Sequence, residues 1–215
     1  MRQTRASSPH ATSRRCFLRS ASLAVTTSML SEVRLALAAQ QETANTASQA
    51  ELDVDKKRMR ALAAWTGLTL TTPNPVPYGA EIVHSKTGES LMRATNAVRK
   101  EHDPSAHAEV RTMRLACGKL NASSLSGYTL YTTCEPCPMC MACALWAGLD
   151  RVVYGATIAD AARFGLQILI PAAEVAKRTD IKCVVVGPVE RDICFALFTN
   201  PSMQKAFKTW NSGRP

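Results

Sequence analysis

Two short segments of this chain carry residue types that can do chemistry: His107-Ala108-Glu109, and Cys134-Glu135-Pro136-Cys137-Pro138-Met139-Cys140. Cys137 and Cys140 stand three apart at an expected helix start, so their sulfurs share one face. His107 stands near the start of another expected helix. Helical side chains lean toward the N-terminus, so two facing helix starts could bring one imidazole and two thiolates onto one ion. Three N/S ligands suit Zn2+ and leave its fourth position for water. Glu109 separates a structural site from a catalytic one. A structural site is closed by a fourth protein ligand, whereas a catalytic site stays open and needs a proton carrier beside it. Zinc lowers the pKa of bound water from about 15.7 toward ~7, and a neighbouring carboxylate can take that proton and return it to a leaving group. Glu109 follows His107 by two residues, roughly 200° around an ideal helix. Only the geometry of a helix end lets the two meet.

Other readings of the same cysteines exist. A Cys-x-x-Cys pair is often a redox pair. Cys134, Cys137, Cys140 and Cys143 form an unbroken array at spacing three, which could hold an iron–sulfur cluster. Neither reading needs His107 or Glu109. Cys134 and Cys143 read better as packed thiols, and Cys117, Cys183 and Cys194 as small buried residues. Beyond residue 38 the chain holds seven cysteines; an odd number speaks against a disulfide scaffold.

The run from Asp103 to Glu109, followed by the run from Cys134 to Cys140, contains H-x-E and then P-C-x-x-C. These segments resemble the cytidine deaminase-like superfamily, in particular the branch that holds guanine deaminases and tRNA adenosine deaminases. The likeness in order of elements covers roughly residues 52–200. It implies a zinc-dependent hydrolytic deaminase that removes an exocyclic amine from a purine or pyrimidine base. In that case His107, Cys137 and Cys140 hold Zn2+ and Glu109 moves the proton. The backbone N–H of Ala108 faces the ring carbonyl, and Asn96, eleven residues before His107, contacts the base. Asp160 lies where guanine deaminases carry an Asp after the fourth strand, and would accept from the N–H edge of guanine; its other reading is a helix N-cap. Phe164 and Trp210 read either as stacking residues or as core. The chain departs from the branch at Tyr78 in Pro77-Tyr78-Gly79-Ala80. It also lacks an acidic pair at Leu166-Gln167-Ile168, after Phe164-Gly165, which weakens the guanine assignment. Similar proteins form homodimers, so a homodimer is expected.

The elements that must position these residues follow from pattern. Glu51 to Trp65 has helical spacing, with Val54, Met59, Leu62 and Ala63 on one face. Residues 71–77 hold three prolines and read as a loop. Strands are expected at 78–86 and 90–98 around the turn Thr87-Gly88-Glu89. A helix is expected from an Asp103 cap to Gly118, with Ala106, Val110, Met113 and Cys117 inward. Then follow a strand at 128–133, a helix at 137–147, strands at 151–155 and 181–186, and helix over 192–210 broken near Pro201. Alternating strands and helices predict a three-layer α/β/α fold with a mixed five-stranded sheet.

The net charge of +9 invites a nucleic-acid partner, but +5 of it lies in residues 1–38, leaving +4 on the rest. That body asks for no polyanion, and a small purine or pyrimidine base is the better partner, with guanine favoured. The alternatives are a tRNA adenosine deaminase-like enzyme and a non-catalytic zinc-stabilised binding protein. Residues 1–38 resemble a twin-arginine signal: Arg14-Arg15, a mildly apolar stretch from Ala21 to Leu30, and Ala36-Leu37-Ala38 for cleavage. The expected organisation is therefore signal 1–38, linker 39–50 and deaminase domain 51–215, with a periplasmic or otherwise exported product. No run of 18 apolar residues appears, so no membrane span is expected after processing.

Overall fold

The computed structural model describes Arg34 and residues 48–211. The expected signal, apart from Arg34, and the linker up to residue 47 lie outside the described residues. By contact density the chain divides into two units, Met1–Glu51 and Leu52–Pro215. The second holds the sheet and every residue discussed below.

Helix α1 runs over residues 48–67, starting earlier than its apolar pattern indicates. Met59, Leu62 and Ala63 are buried as expected, but Val54 is 53% exposed and Asp55 next to it is 1% exposed. The inward stripe of α1 is thus Asp55, Met59, Leu62, Ala63 and Thr66, at the i, i+4, i+7, i+8, i+11 spacing of one face. Asp55 can sit there because its carboxylate is satisfied. Arg151 holds it through two hydrogen bonds of 2.7 and 2.6 Å, and Tyr131 donates its hydroxyl at 2.7 Å.

A 3-10 turn at Leu68–Thr71 and the proline loop lead into strands β1 (Gly79–His84) and β2 (Ser90–Thr95), which pair antiparallel. Gly88 takes the positive φ, +72°, of their turn. Both strands are shorter than their apolar runs. Residues 96–98 leave β2 for a short helix, α2 (Val98–Glu101). After α3 (Ala108–Leu120), β3 (Tyr128–Cys134) pairs antiparallel with β1. Helix α4 (Pro138–Trp146) crosses back to β4 (Arg151–Ala156), parallel to β3. Then come α5 (Ile158–Ala162), α6 (Ala172–Lys177), β5 (Val184–Val186, parallel to β4), α7 (Arg191–Thr199) and α8 (Pro201–Asn211).

The sheet order is β2-β1-β3-β4-β5, the mixed five-stranded sheet of the expected three-layer α/β/α fold. Successive strand residues face opposite sides, and each side has its own core. Ile82, Leu130 and Val152 meet Val110 and Met113 of α3 and Met141 of α4. Their neighbours Val83, Tyr131 and Val153 meet Met59 and Leu62 of α1, Phe198 of α7 and Phe207 of α8. Gly155 lets α7 close on β4: a Cβ there would lie 2.3 Å from the Cys194 sulfur.

Two helix ends differ from expectation. Asp103 does not cap α3. Its carboxylate accepts from the Ser105 N–H at 2.7 Å and hydroxyl at 2.6 Å, closing a local turn that competes with helix. The helix therefore begins at Ala108, with His107 as N-cap. At the other end α3 runs through Gly118 and stops at Asn121, which adopts the left-handed conformation at φ 49°.

Candidate active site

His107 and Cys137 hold the same position on two helices. His107 is the N-cap of α3 with φ −65° and ψ 155°; Cys137 is the N-cap of α4 with φ −64° and ψ 166°. Extended backbone at an N-cap aims the side chain off the end of the helix rather than along its side. Pro138 at the first position of α4 suits a helix start, because its missing N–H would be unpaired there in any case. Cys140 lies one turn in and Glu109 is the second residue of α3. The obstacle of 200° between His107 and Glu109 disappears because His107 is outside the helix.

The three ligand atoms form a nearly equilateral triangle. His107 Nδ1 is 3.7 Å from Cys137 Sγ and 3.5 Å from Cys140 Sγ, and the sulfurs are 3.6 Å apart. A tetrahedral zinc with bonds of about 2.3 Å to sulfur and about 2.0 Å to nitrogen needs ligand atoms about 3.5–3.8 Å apart. The donor set and its spacing therefore fit Zn2+. Cys134 and Cys143 do not join the group, so the four-cysteine array does not converge as an iron–sulfur ligand set. Cys134 is buried and points at the Thr157 carbonyl, 3.9 Å away; burial pushes its thiol far up.

The electrostatics suit a cation. Its hydrogen bond with Cys140 draws Cys137 down to about 4, with His107 helping, against the opposing effect of burial. The same bond pushes Cys140 up, as does its own burial. The pair thus holds one thiolate, and a cation bound between them would deprotonate the second. Two helix N-termini add positive potential at the same place.

Glu109 stands beside this group without belonging to it. It is 5% exposed, with Oε2 3.6 Å from Cys140 Sγ. Burial raises its pKa, opposed by the charge of His107. The Thr132 hydroxyl can donate to Oε1 at 3.1 Å or to the Cys134 carbonyl at 3.0 Å, so its one proton is shared between the carboxylate and the end of β3. The group opens into a cavity of about 370 Å3 lined also by Asn96, Phe164 and Trp210. Asn96 accepts from the Val98 N–H at 3.2 Å, which sets the plane of its amide. Ala108, fully buried, is the first residue of α3, so its N–H belongs to the unpaired amides of a helix start. Phe164 also packs on Phe198 and Phe207, and Trp210 on Phe207: each aromatic is both wall and core.

Asp160 does not reach the cavity, which corrects its expected role as a substrate contact. Its carboxylate closes a capping box with Thr157 at the start of α5, and Arg191 holds it from α7. The N-cap itself is Thr157, with Asp160 at the third helical position, so the alternative reading of Asp160 was near in kind and off by three residues.

Two contributors escaped the sequence reading. Thr132 precedes the cysteine motif by two residues and looks like any strand threonine. Glu135, 7% exposed, accepts from the Ile158 N–H at 3.0 Å and the Ala172 N–H at 2.9 Å. It ties the cysteine loop to the starts of α5 and α6. A glutamate between two motif cysteines was a signal, but no spacing rule leads from it to distant backbone amides.

Three N/S ligands, an open side and an uncoordinated buried carboxylate define a hydrolytic metal centre with a proton carrier beside it. Known proteins agree. Residues 53–156 match the cytidine and deoxycytidylate deaminase zinc-binding region. A guanine deaminase of Bacillus subtilis is 37% identical over 136 residues, 63% of this chain and 80% of that protein. A tRNA-specific adenosine deaminase of Aquifex aeolicus is 42% identical over 81 residues, 38% of this chain and 52% of that protein. The solved guanine deaminase of Nitrosomonas europaea superposes with a TM-score of 0.60 at 22% identity, over 72% of this chain and 84% of that one, and shares the fold. The chain belongs to the cytidine and deoxycytidylate deaminase-like family of zinc-dependent hydrolytic deaminases, which act on C–N bonds.

Proposed function

We propose that this protein hydrolyses the exocyclic amine of a purine base, guanine before others, and releases ammonia. One observation carries the reading: the Glu109 carboxylate is buried and fixed beside, but not within, the His107–Cys137–Cys140 group, at the wall of a cavity large enough for a base. A non-catalytic zinc protein has no use for that arrangement. When bound, zinc supplies Lewis acidity that makes water nucleophilic near neutral pH. The chain does the rest. Burial raises the proton affinity of Glu109, so it can carry one proton of the attacking water to the ring nitrogen and then the second, from the hydroxyl left on the ring carbon, to the departing amine. Asn96 and the Ala108 N–H offer polar groups to the base edge, and Phe164 and Trp210 offer flat apolar walls.

Guanine is favoured because the B. subtilis guanine deaminase is matched over 80% of its length, whereas the A. aeolicus tRNA-specific enzyme is matched over 52%. The test is ammonia release from guanine, adenine and cytosine by purified, zinc-loaded protein. Guanine is expected to be turned over fastest. Release from adenine or cytosine alone overturns the guanine assignment, and release from none overturns the whole reading.

Two further parts of the reading concern the whole chain. The N-terminal pattern supports twin-arginine export and a periplasmic product beginning after Ala38, to be checked by the N-terminal sequence of the exported form. Homodimer formation is the second part, to be checked by sedimentation. No helix among the described residues is long and apolar enough to cross a membrane.

A further inference from the structure

Several of the polar groups that line the cavity beside the metal group are already engaged. Both Glu135 oxygens accept backbone N–H groups, from Ile158 and Ala172. Glu109 faces Thr132 and Cys140. The Asn96 carbonyl accepts from the Val98 N–H, and the Thr209 hydroxyl donates to the Ala206 carbonyl at 2.8 Å. Gln167 differs. It lines the cavity, and its amide makes no hydrogen bond among the described residues. Its neighbours make this unusual. Gln167 is half-buried, whereas Leu166, Ile168, Leu169 and Ile170 are exposed. Burial by residue type runs the other way, with apolar side chains inside and amides outside. An amide turned inward without a partner is unfavourable until one reaches it. Both ends of the segment are fixed. Phe164 stacks on Phe198 and Phe207 at 5.8 and 5.4 Å, and Ala172 is fully buried with its N–H on Glu135.

We propose that Gln167 determines specificity by binding the lactam edge of the substrate base, a ring N–H beside a ring carbonyl, so that the enzyme selects amino-oxopurines over aminopurines that lack the carbonyl. The proposal rests on the base-deaminase reading above and gives it a residue that reads the base. A side-chain amide offers an acceptor and a donor side by side, and the lactam offers the matching donor and acceptor. In guanine that edge, N1–H and C6=O, adjoins the carbon that carries the amine. An adenine ring has no lactam. The topology suits this placement. In the order β2-β1-β3-β4-β5, Asn96 follows β2, Cys137 and Cys140 follow β3, and Gln167 follows β4 and α5. Thr95 ends β2 opposite Gly79, and Cys134 ends β3 opposite Ala156, so these segments leave the sheet at one end. A flat base with its amine-bearing carbon at the metal group then has one edge toward Asn96 and the other toward Gln167. The reaction is unchanged: water enters, the C–N bond breaks, a carbonyl forms and ammonia leaves.

The test uses the full, zinc-loaded protein and the variant Gln167→Met, which keeps the length of the side chain and removes both amide groups. Zinc content of the two proteins shows that the fold is kept. Hypoxanthine and unsubstituted purine are titrated calorimetrically. They differ by the lactam, and neither carries an exocyclic amine, so neither is turned over. The parent is expected to bind hypoxanthine at least tenfold more tightly than purine. In the variant that advantage should shrink to about twofold, through weaker binding of hypoxanthine and not of purine. For guanine the variant should show KM raised about tenfold with kcat nearly unchanged. Equal binding of the two probes by the parent, an advantage the variant keeps, equal loss for both probes, binding of neither, or a loss confined to kcat overturns the proposal. Ammonia release from guanine by the parent separates the two claims. Guanine deaminated without an advantage that depends on Gln167 sinks the Gln167 assignment alone. Guanine left intact while hypoxanthine keeps that advantage sinks the deaminase reading alone.

Discussion

At the residue scale, the site depends on how Glu109 is held. A carboxylate that carries a proton must stay close to the metal group without binding in it. Thr132 provides this restraint through the 3.1 Å contact to Oε1. Thr132→Val removes the hydroxyl while keeping the side-chain shape. The expected result is full zinc content and a fall in kcat of about tenfold, the equivalent of about 1.4 kcal/mol for one lost hydrogen bond to a charged group. Parallel metal analysis and steady-state kinetics check it. An unchanged kcat, or lost zinc, would show that Thr132 does something else. The types and spacing of the metal ligands and Glu109 were legible in the sequence, because ligand chemistry restricts them to few residue types. Thr132 was not, because a strand threonine is common and nothing local marks its partner.

At the element scale, the clearest restraint is the one that ties α1 to the sheet. Asp55 on α1 binds Arg151 on β4 and Tyr131 on β3. Asp55→Ala leaves a guanidinium that is 15% exposed and a phenol without their shared partner. Removing one member of such a buried pair costs about 3 kcal/mol, which urea unfolding would register; a change under about 0.5 kcal/mol would mean that α1 is held by its apolar stripe alone. A second tie joins α5 to α7 through Asp160 and Arg191. Burial by itself pushes the Asp160 carboxyl up, but Arg191 and the Thr157 hydrogen bonds outweigh it and hold its pKa below the ordinary value. A depressed folded pKa stabilises the protein above the unfolded value of about 3.9, and that gain is lost as pH falls through the folded pKa. Stability should therefore drop below about pH 4, and Asp160→Asn should flatten that part of the profile. Equal acid slopes for the two proteins would contradict the assignment. Pattern alone located the α1 helix but put Val54 inward, since a carboxylate on an apolar stripe reads as its edge until its partners are seen. The start of α3 was missed for a related reason: Asp103 has the chemistry of a cap, and in the folded chain that chemistry serves a turn four residues earlier.

At the scale of the whole molecule, the order of strands and helices was legible, because alternating patterns permit few layer arrangements. The short α5 and α6, and the cavity that α2 and α8 line together, were not. They depend on contacts distant in sequence, such as Glu135 to the Ile158 and Ala172 amides. The same holds for charge. Lys205, near the C-terminus, lines the same cavity as Arg99 and Lys100. The metal group also links parts of the fold, since its ligands come from the starts of both α3 and α4. Binding to the folded state alone stabilises it. A chelator strong enough to strip the zinc should lower Tm by several degrees as well as abolish turnover. A stripped protein with unchanged Tm would mean that the group contributes nothing to holding the two helices together.

The claim on which the rest stands is that Glu109 serves as proton carrier beside a metal it does not bind. Glu109→Gln keeps the size and burial of the side chain and removes its ability to cycle a proton. Zinc content and ammonia release measured on the same preparation test the claim most directly. The expected result is one zinc per chain in both proteins and a loss of turnover of at least about 100-fold in the variant. Turnover near the parent rate, or zinc lost together with the carboxylate, would contradict it.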